Sequence, residues 1–180
     1  MKWTSNKQQQ LMKAIQYRKK DVKFGISCVY FALNTKVGAK MYASEKTRDQ
    51  ASKKQAHAYQ YKLAPQVGDC FSFDCFWIGH NPCSLPDLKH KVIYGYMTQN
   101  AEVYKNKRFC SLGEQLSKSA FNSQMWDLER NLKEIGIVNE DIHSENVGFI
   151  GKRMVCIDFD DVSCRWKVGR KRKDKDATRI

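Results

Sequence analysis

Residues 22–42 break into three short segments rich in β-branched and aromatic residues: "VKFGIS" (22–27), "CVYFAL" (28–33) and "KVGAKMY" (36–42). Asn34-Thr35, between the last two, reads as a tight turn, so the three predict an antiparallel meander. "SEKTRDQASKKQAHAYQYKLAP" (44–65) then breaks the pattern. Ser44 suits a helix N-cap, Pro65 closes the segment and the interior is polar, which predicts one helix facing mostly solvent. "DCFSFDCFWI" (69–78) alternates, with Phe71, Phe73, Cys75 and Trp77 on one face and Cys70, Ser72 and Asp74 on the other. Alternation of this kind marks a half-buried strand. Beyond Pro82 and Pro86, "KVIYGYM" (91–97) reads as a further strand. The order is therefore three strands, one helix and two strands.

The flanks are helical. "KQQQLMKAIQYR" (7–18) places Leu11, Met12, Ala14 and Ile15 on one helical face. "SLGEQLSK" (111–118) reads as a short helix. In residues 119–136, Phe121, Met125, Leu128, Leu132 and Ile135 recur at steps of three and four, and Gly136 stands where a helix C-terminal glycine belongs. Trp77 and Trp126 fall near apolar faces and are expected in the core. The expected fold class is α+β.

The chain has 180 residues, 42% apolar, with seven scattered cysteines and a formal net charge of +13. The length suits one domain or a compact two-lobed one. Neither an apolar run of membrane-span length nor a secretory apolar core is present, so reduced thiols, no membrane contact and a cytoplasmic location are expected. A basic balance favours polyanionic partners. Residues 165–180 hold eight Lys or Arg and two Asp. Two readings stand for this tail: a solvated, disordered end or a polyanion-binding arm. Trp166 gives it an aromatic-plus-basic character suited to single-stranded nucleic acid, or else anchors it to the domain.

The chemistry concentrates in "NEDIHSENVGFIGKRMVCIDFDD" (139–161). Two short strands, "VGFI" and "MVCIDF", joined at Gly151-Lys152, would bring Asp141, Asn146 and Asp158 to one end of a hairpin. Oxygen ligands in small number suit magnesium held beside phosphates. One carboxylate is left to orient or deprotonate a hydroxyl. Asp158 follows an apolar run and precedes Phe159, so it is expected half buried, where an unpaired carboxylate is costly. Cys70, Cys75, His80, Cys83 and His90 form a second cluster. The Cys-x4-Cys gap puts Cys70 and Cys75 on opposite strand faces, which disfavours zinc.

Asp141-Ile-His-Ser-Glu-Asn146 followed by Ile157-Asp158-Phe159-Asp160 resembles the catalytic and metal-binding loops of the protein-kinase-like superfamily. The spacings are five residues from Asp141 to Asn146 and seventeen from Asp141 to Asp158. The resemblance extends by order of elements over residues 22–162 and is specific in 139–160. It implies a protein-kinase-like fold, with a five-stranded antiparallel N-lobe carrying one helix and a shortened helical C-lobe. The implied segments are an N-terminal helical extension (1–20), an N-lobe (21–98), a reduced C-lobe (99–164) and the basic tail (165–180). The implied cofactors are ATP and magnesium. By the resemblance, Asp141 is the catalytic base, Asn146 and Asp158 are the metal ligands, and Lys40 anchors nucleotide phosphates. Gly25 and Ser27 line the phosphate turn, and Tyr96 and Met97 border the adenine. His143 resembles the small-molecule phosphotransferases and the short kinases of tailed bacteriophages, which would place the protein in host cytoplasm.

The departures are equally specific. The turn "FGISCVY" holds Gly25 as its one glycine. The helix after Lys40 offers Gln55 and Gln60 where the family has a glutamate. Asp160 replaces a glycine, and Asn139-Glu140 replaces His-Arg. Only 20 residues follow Asp160. The expected activity is transfer of phosphate from ATP to a hydroxyl, on Ser or Thr of a protein substrate. The alternatives are a small-molecule kinase or a pseudokinase that binds a regulatory partner protein.

Overall fold

The computed structural model describes residues 1–16, 22–24, 28–74, 92–103, 109–111, 114–160 and 164–167. Within them the fold is α+β, with antiparallel sheets and three helices. Helix α1 (Ser5–Gln16) comes first. Strands β1 (Val22–Phe24), β2 (Val29–Ala32) and β3 (Val37–Tyr42) follow as the expected meander. The Asn34 side-chain oxygen accepts from the Lys36 and Val37 amides and shapes the β2–β3 turn. After helix α2 (Glu45–Gln60), strands β4 (Val67–Asp74) and β5 (Val92–Gln99) complete a five-stranded sheet in the order β1-β2-β3-β5-β4.

Period-two patterning gives this sheet two unlike faces. Val29, Phe31, Ala39, Met41, Phe71, Phe73, Ile93 and Met97 form one apolar core, closed by Leu11 of α1. Trp3 stacks on Phe71 with ring centroids 3.6 Å apart, which fastens the N-terminal segment over this face. The opposite face carries Tyr30, Lys40, Tyr42, Tyr96 and Thr98, and α2 packs there. Ser44 caps α2 as expected, its side chain accepting from Thr47 N. The helix does not face mostly solvent, however. Arg48, Ala51, Ser52, Lys54, Gln55 and Ala58 are buried. Its long polar side chains reach partners remote in sequence: Arg48 Nη1 donates to Phe71 O at 3.2 Å, and Lys54 Nζ donates to Cys164 O.

A second core lies beyond α2. Strand β6 (Glu102–Val103) leads to a hairpin of β7 (Phe109–Ser111) and β8 (Glu114–Leu116), then to helix α3 (Lys118–Glu134). The expected short helix at 111–118 is thus a strand pair that ends at the Ser117 cap of α3. Strand β9 (Ile137–Asn139) precedes the hairpin of β10 (Val147–Ile150) and β11 (Arg153–Cys156), and β12 (Cys164–Trp166) returns to pair with β9. Phe121, Leu128 and Leu132 of α3 meet Ile137, Val147, Phe149 and Phe159 in this core. Gly136 ends the helix with φ +85°, a backbone state open chiefly to glycine.

Trp126 is 69% exposed and not in the core. At 100° per residue it lies well off the Phe121–Leu128–Leu132 stripe. Trp77 lies outside the described residues, as do Cys75, His80, Cys83 and His90 of the cysteine–histidine cluster. Cys28, Cys70, Cys156 and Cys164 are free thiols. Arg165 and Trp166 belong to β12, so the fold runs past the boundary expected for the basic tail. Among the described residues, no helix is long and apolar enough to cross a membrane.

Candidate active site

Strand alternation decides where Lys40 goes. Ala39 and Met41 enter the apolar core, and Lys40 and Tyr42 turn to the other face of the sheet. Lys40 pairs across strands with Tyr30 on one side and Tyr96 on the other. Only 7% of the residue is exposed. Asp158, two residues beyond β11, approaches it with Oδ1 at 3.6 Å from Nζ. Tyr42 makes the parallel contact, donating to Asp160 Oδ1 at 3.1 Å. Two alternate residues of β3 therefore meet two alternate residues of the loop. The Asp160 amide also donates to Asp158 Oδ1 at 3.2 Å and so orients the carboxylate.

Burial opposes charge on both partners of the ion pair, and on each the neighbouring groups together overcome it. At Lys40, desolvation is the largest single influence, and Asp158, Tyr96, Cys28 and Asp160 together outweigh it and hold the ammonium well above the usual lysine range. At Asp158, desolvation is again the largest influence. The Lys40 charge and the hydrogen bonds from Lys40 and Asp160 outweigh it together, leaving the carboxyl below its usual value. Cys28, beside this pair, is a buried thiol pushed up to about 12, mainly by desolvation. It is protonated at neutral pH.

Asp141, His143 and Asn146 form a second group on the loop between β9 and β10. Asn146 Nδ2 donates to Asp141 Oδ2 at 2.8 Å and to Asp141 O at 3.0 Å, which closes the loop on itself. His143 Nε2 stands 3.3 Å from Asp141 Oδ1. The Asp141 side chain is 51% exposed. Its carboxylate is thus open to an incoming hydroxyl. The Asn146 carbonyl accepts from Ile157 N at 3.0 Å, which puts Asn146 and Asp158 at the same end of the β10–β11 hairpin.

Asn139 joins the two groups, and sequence reasoning missed this role. It is 3% exposed. Its Nδ2 donates to Asp158 O at 2.9 Å, and its Oδ1 accepts from Asp141 N at 3.0 Å. One buried amide thus fixes the backbones that carry both carboxylates. The available signal was a polar residue in register with Ile137, on the buried side of a short strand.

Of the residues expected at the site, Lys40 and Asp158 come together, and Asp141 and Asn146 come together. Gly25 and Ser27 lie outside the described residues. Tyr96 and Met97 are fully buried, with Met97 in the apolar core on the far side of the sheet. Gln55 does not meet Lys40. It donates to Thr98 Oγ1 and Pro65 O and accepts from the Tyr96 hydroxyl at 2.8 Å, while Gln60 is exposed. The Tyr30 ring lies over Gly38, with its hydroxyl bonded to the Asn100 side chain. A Cβ on Gly38 would fall 2.6 Å from that hydroxyl, so glycine is what lets the ring lie there.

Among the described residues no three His, Cys, Asp or Glu side chains converge as a metal cage. The oxygens on offer, from Asp158 and Asn146, are a pair. Asp158 is held anionic, and Asn146 commits its amide nitrogen to Asp141, which leaves the amide oxygen as the group able to face a cation. Such a pair fits a magnesium ion that keeps waters and shares phosphate oxygens. No model of a known protein family matches the chain, and no curated protein matches it either.

Proposed function

We propose that this chain is an ATP- and magnesium-dependent phosphotransferase with a protein-kinase-like fold, a minimal kinase acting on a Ser or Thr hydroxyl of a protein. The observation that carries the reading is the approach of Lys40 to Asp158 at 3.6 Å, with Asn139 tying Asp158 to the Asp141 loop. A fixed ammonium, an anionic carboxylate and an exposed carboxylate are the groups phosphoryl transfer needs, since its catalysis is mostly positioning and charge neutralisation.

In this reading Lys40 holds phosphate oxygens and is itself steadied by Asp158. Asp158 and Asn146 hold magnesium, which when bound neutralises phosphate charge. Asp141 orients the acceptor hydroxyl and takes its proton, with Asn146 fixing the carboxylate's direction. The test is phosphate incorporation from labelled ATP with magnesium by the wild type, Asp141→Ala and Asp158→Ala, with thermal shift on the same samples. Incorporation by the wild type and its loss in both variants is expected. No incorporation and no stabilisation of the wild type by magnesium-ATP would remove the enzyme reading.

The second reading is a pseudokinase that works by binding a partner protein. Two contacts favour it: the Tyr30–Asn100 bond lying across Gly38, and the engagement of Gln55 away from Lys40. The same thermal shift separates the two readings, because a pure binding module gains nothing from magnesium-ATP.

A further inference from the structure

The C-terminal end of α2 and strand β12 build a surface that the phosphotransfer reading does not use. His57 Nε2 lies 3.0 Å from Ile135 O at the C-cap of α3, which fixes its ring. Tyr61 and Trp166 both stand edge-on to that ring, with centroids 5.4 and 5.1 Å away. They remain 54% and 44% exposed. The platform beneath them is firm. Lys167 N donates to Gly136 O, Lys54 reaches Cys164 O, and β12 is paired with β9. Two aromatic rings are therefore held in place while keeping open surface, which is the reverse of what burial alone would produce.

The charge around the rings has one dominant sign. Lys62 follows Tyr61 and is exposed, held in the left-handed region at φ 62°. Arg165 and Lys167 flank Trp166, with Arg165 partly offset by Glu140. Exposed rings beside cations are the chemistry that single-stranded nucleic acid recognises: bases stack on the rings and phosphates meet the lysines and arginines. An acidic protein segment would use the charge and leave the rings without a role. A duplex would hide its base faces.

We propose that Tyr61, His57 and Trp166 form a stacking platform for single-stranded nucleic acid, with Lys62 and Lys167 meeting its backbone. The test is fluorescence anisotropy of a fluorescein-labelled 20-nucleotide oligo(dT) against the full chain over a series of salt concentrations. Tyr61→Ala, at an exposed helix end, is expected to weaken binding about ten-fold, and Tyr61→Ala with Trp166→Ala further still. Tyr61→Phe and Trp166→Phe keep the rings and are expected to stay within about three-fold of wild type. Lys62→Gln is expected to lower the slope of log affinity against log salt by about 0.7 if it meets one phosphate of the single strand. Three results would overturn the proposal: no binding by the wild type at low salt, equal affinity in the Tyr61→Ala variant, or equal affinity of the wild type for a 20-base-pair duplex or polyglutamate.

Discussion

Two clusters of charged and polar side chains stand at the same end of the β10–β11 hairpin, and water treats them oppositely. Lys40 and Asp158 are withdrawn from solvent, with side-chain exposures of 9% and 29%. Asp141 and His143 are about half exposed, at 51% and 46%. In the dry pair each charge leans on the other and on the groups packed around them. In the wet group, solvent satisfies the carboxylate whether or not His143 turns toward it. The first arrangement therefore bears on folding as well as chemistry, and the second bears on chemistry with little weight in folding.

The largest effect expected from that contrast is a split between two amide substitutions. Asp158→Asn strands a buried ammonium and should cost about 3 kcal/mol, near the low end for a broken buried pair because Asp158 keeps some water. Adding Lys40→Met removes the stranded charge and should recover most of that loss. Asp141→Asn should alter stability by less than about 0.5 kcal/mol while lowering transfer from ATP by about 10²–10⁴-fold. Urea melts of the four proteins, beside the incorporation assay, check both halves. Equal stability losses in the two single variants would erase the distinction.

The pH dependence comes next in size. Asp158 has a lowered pKa, so its contribution is complete above its ordinary value of 3.8 and is lost as pH falls through the lower folded-state value. Lys40 has a raised pKa, so its contribution is complete below 10.5 and is lost only as pH rises through the higher folded-state value. The stability gap between wild type and Asp158→Asn should therefore be flat from about pH 5 to 9 and begin to close below pH 4. A gap that closes already between about pH 6 and 5 would mean that Lys40 does not hold Asp158 ionised in the fold.

The contrast also bears on how much the sequence revealed. The strand order around α2 was legible because strand alternation and turn residues act locally. The Asp141–Asn146–Asp158 spacing was legible for the same reason, since one hairpin closes it. What stayed hidden rests on partners far along the chain. Lys54 read as part of a mostly solvent-facing helix and Gln55 as a stand-in for the helix glutamate, yet they bond to Cys164, Thr98 and Tyr96, as far as 110 positions away. Asn139 read only as a departure from a familiar motif. Its role needs Asp158, 19 residues on, to be brought beside it. Residues 111–118 read as a short helix. The pairing of β7 with β8 overrides that local signal.

The smallest effect belongs to His143, and it probes whether the wet group is organised at all. Glu145 N donates to His143 Nδ1 at 3.2 Å, so in the neutral ring the proton sits on Nε2. From there it faces Asp141 Oδ1 at 3.3 Å. A protonated Nε2 cannot also accept from Asn146 Nδ2, 3.0 Å away, whose hydrogens serve Asp141. Asn146 thus holds one oxygen of the carboxylate by a hydrogen bond, and His143 approaches the other at 3.3 Å. Exposed contacts of this kind are worth up to about 1 kcal/mol, or about five-fold in rate. His143→Gln, which keeps a donor, should stay within about two-fold of wild-type turnover, and His143→Leu should lose about five-fold. Both should melt within about 0.5 kcal/mol of wild type, because the ring is half exposed. If His143→Leu instead lost stability on the scale of Asp158→Asn, the loop would be held by burial after all, and the division into a dry pair and a wet group would not stand.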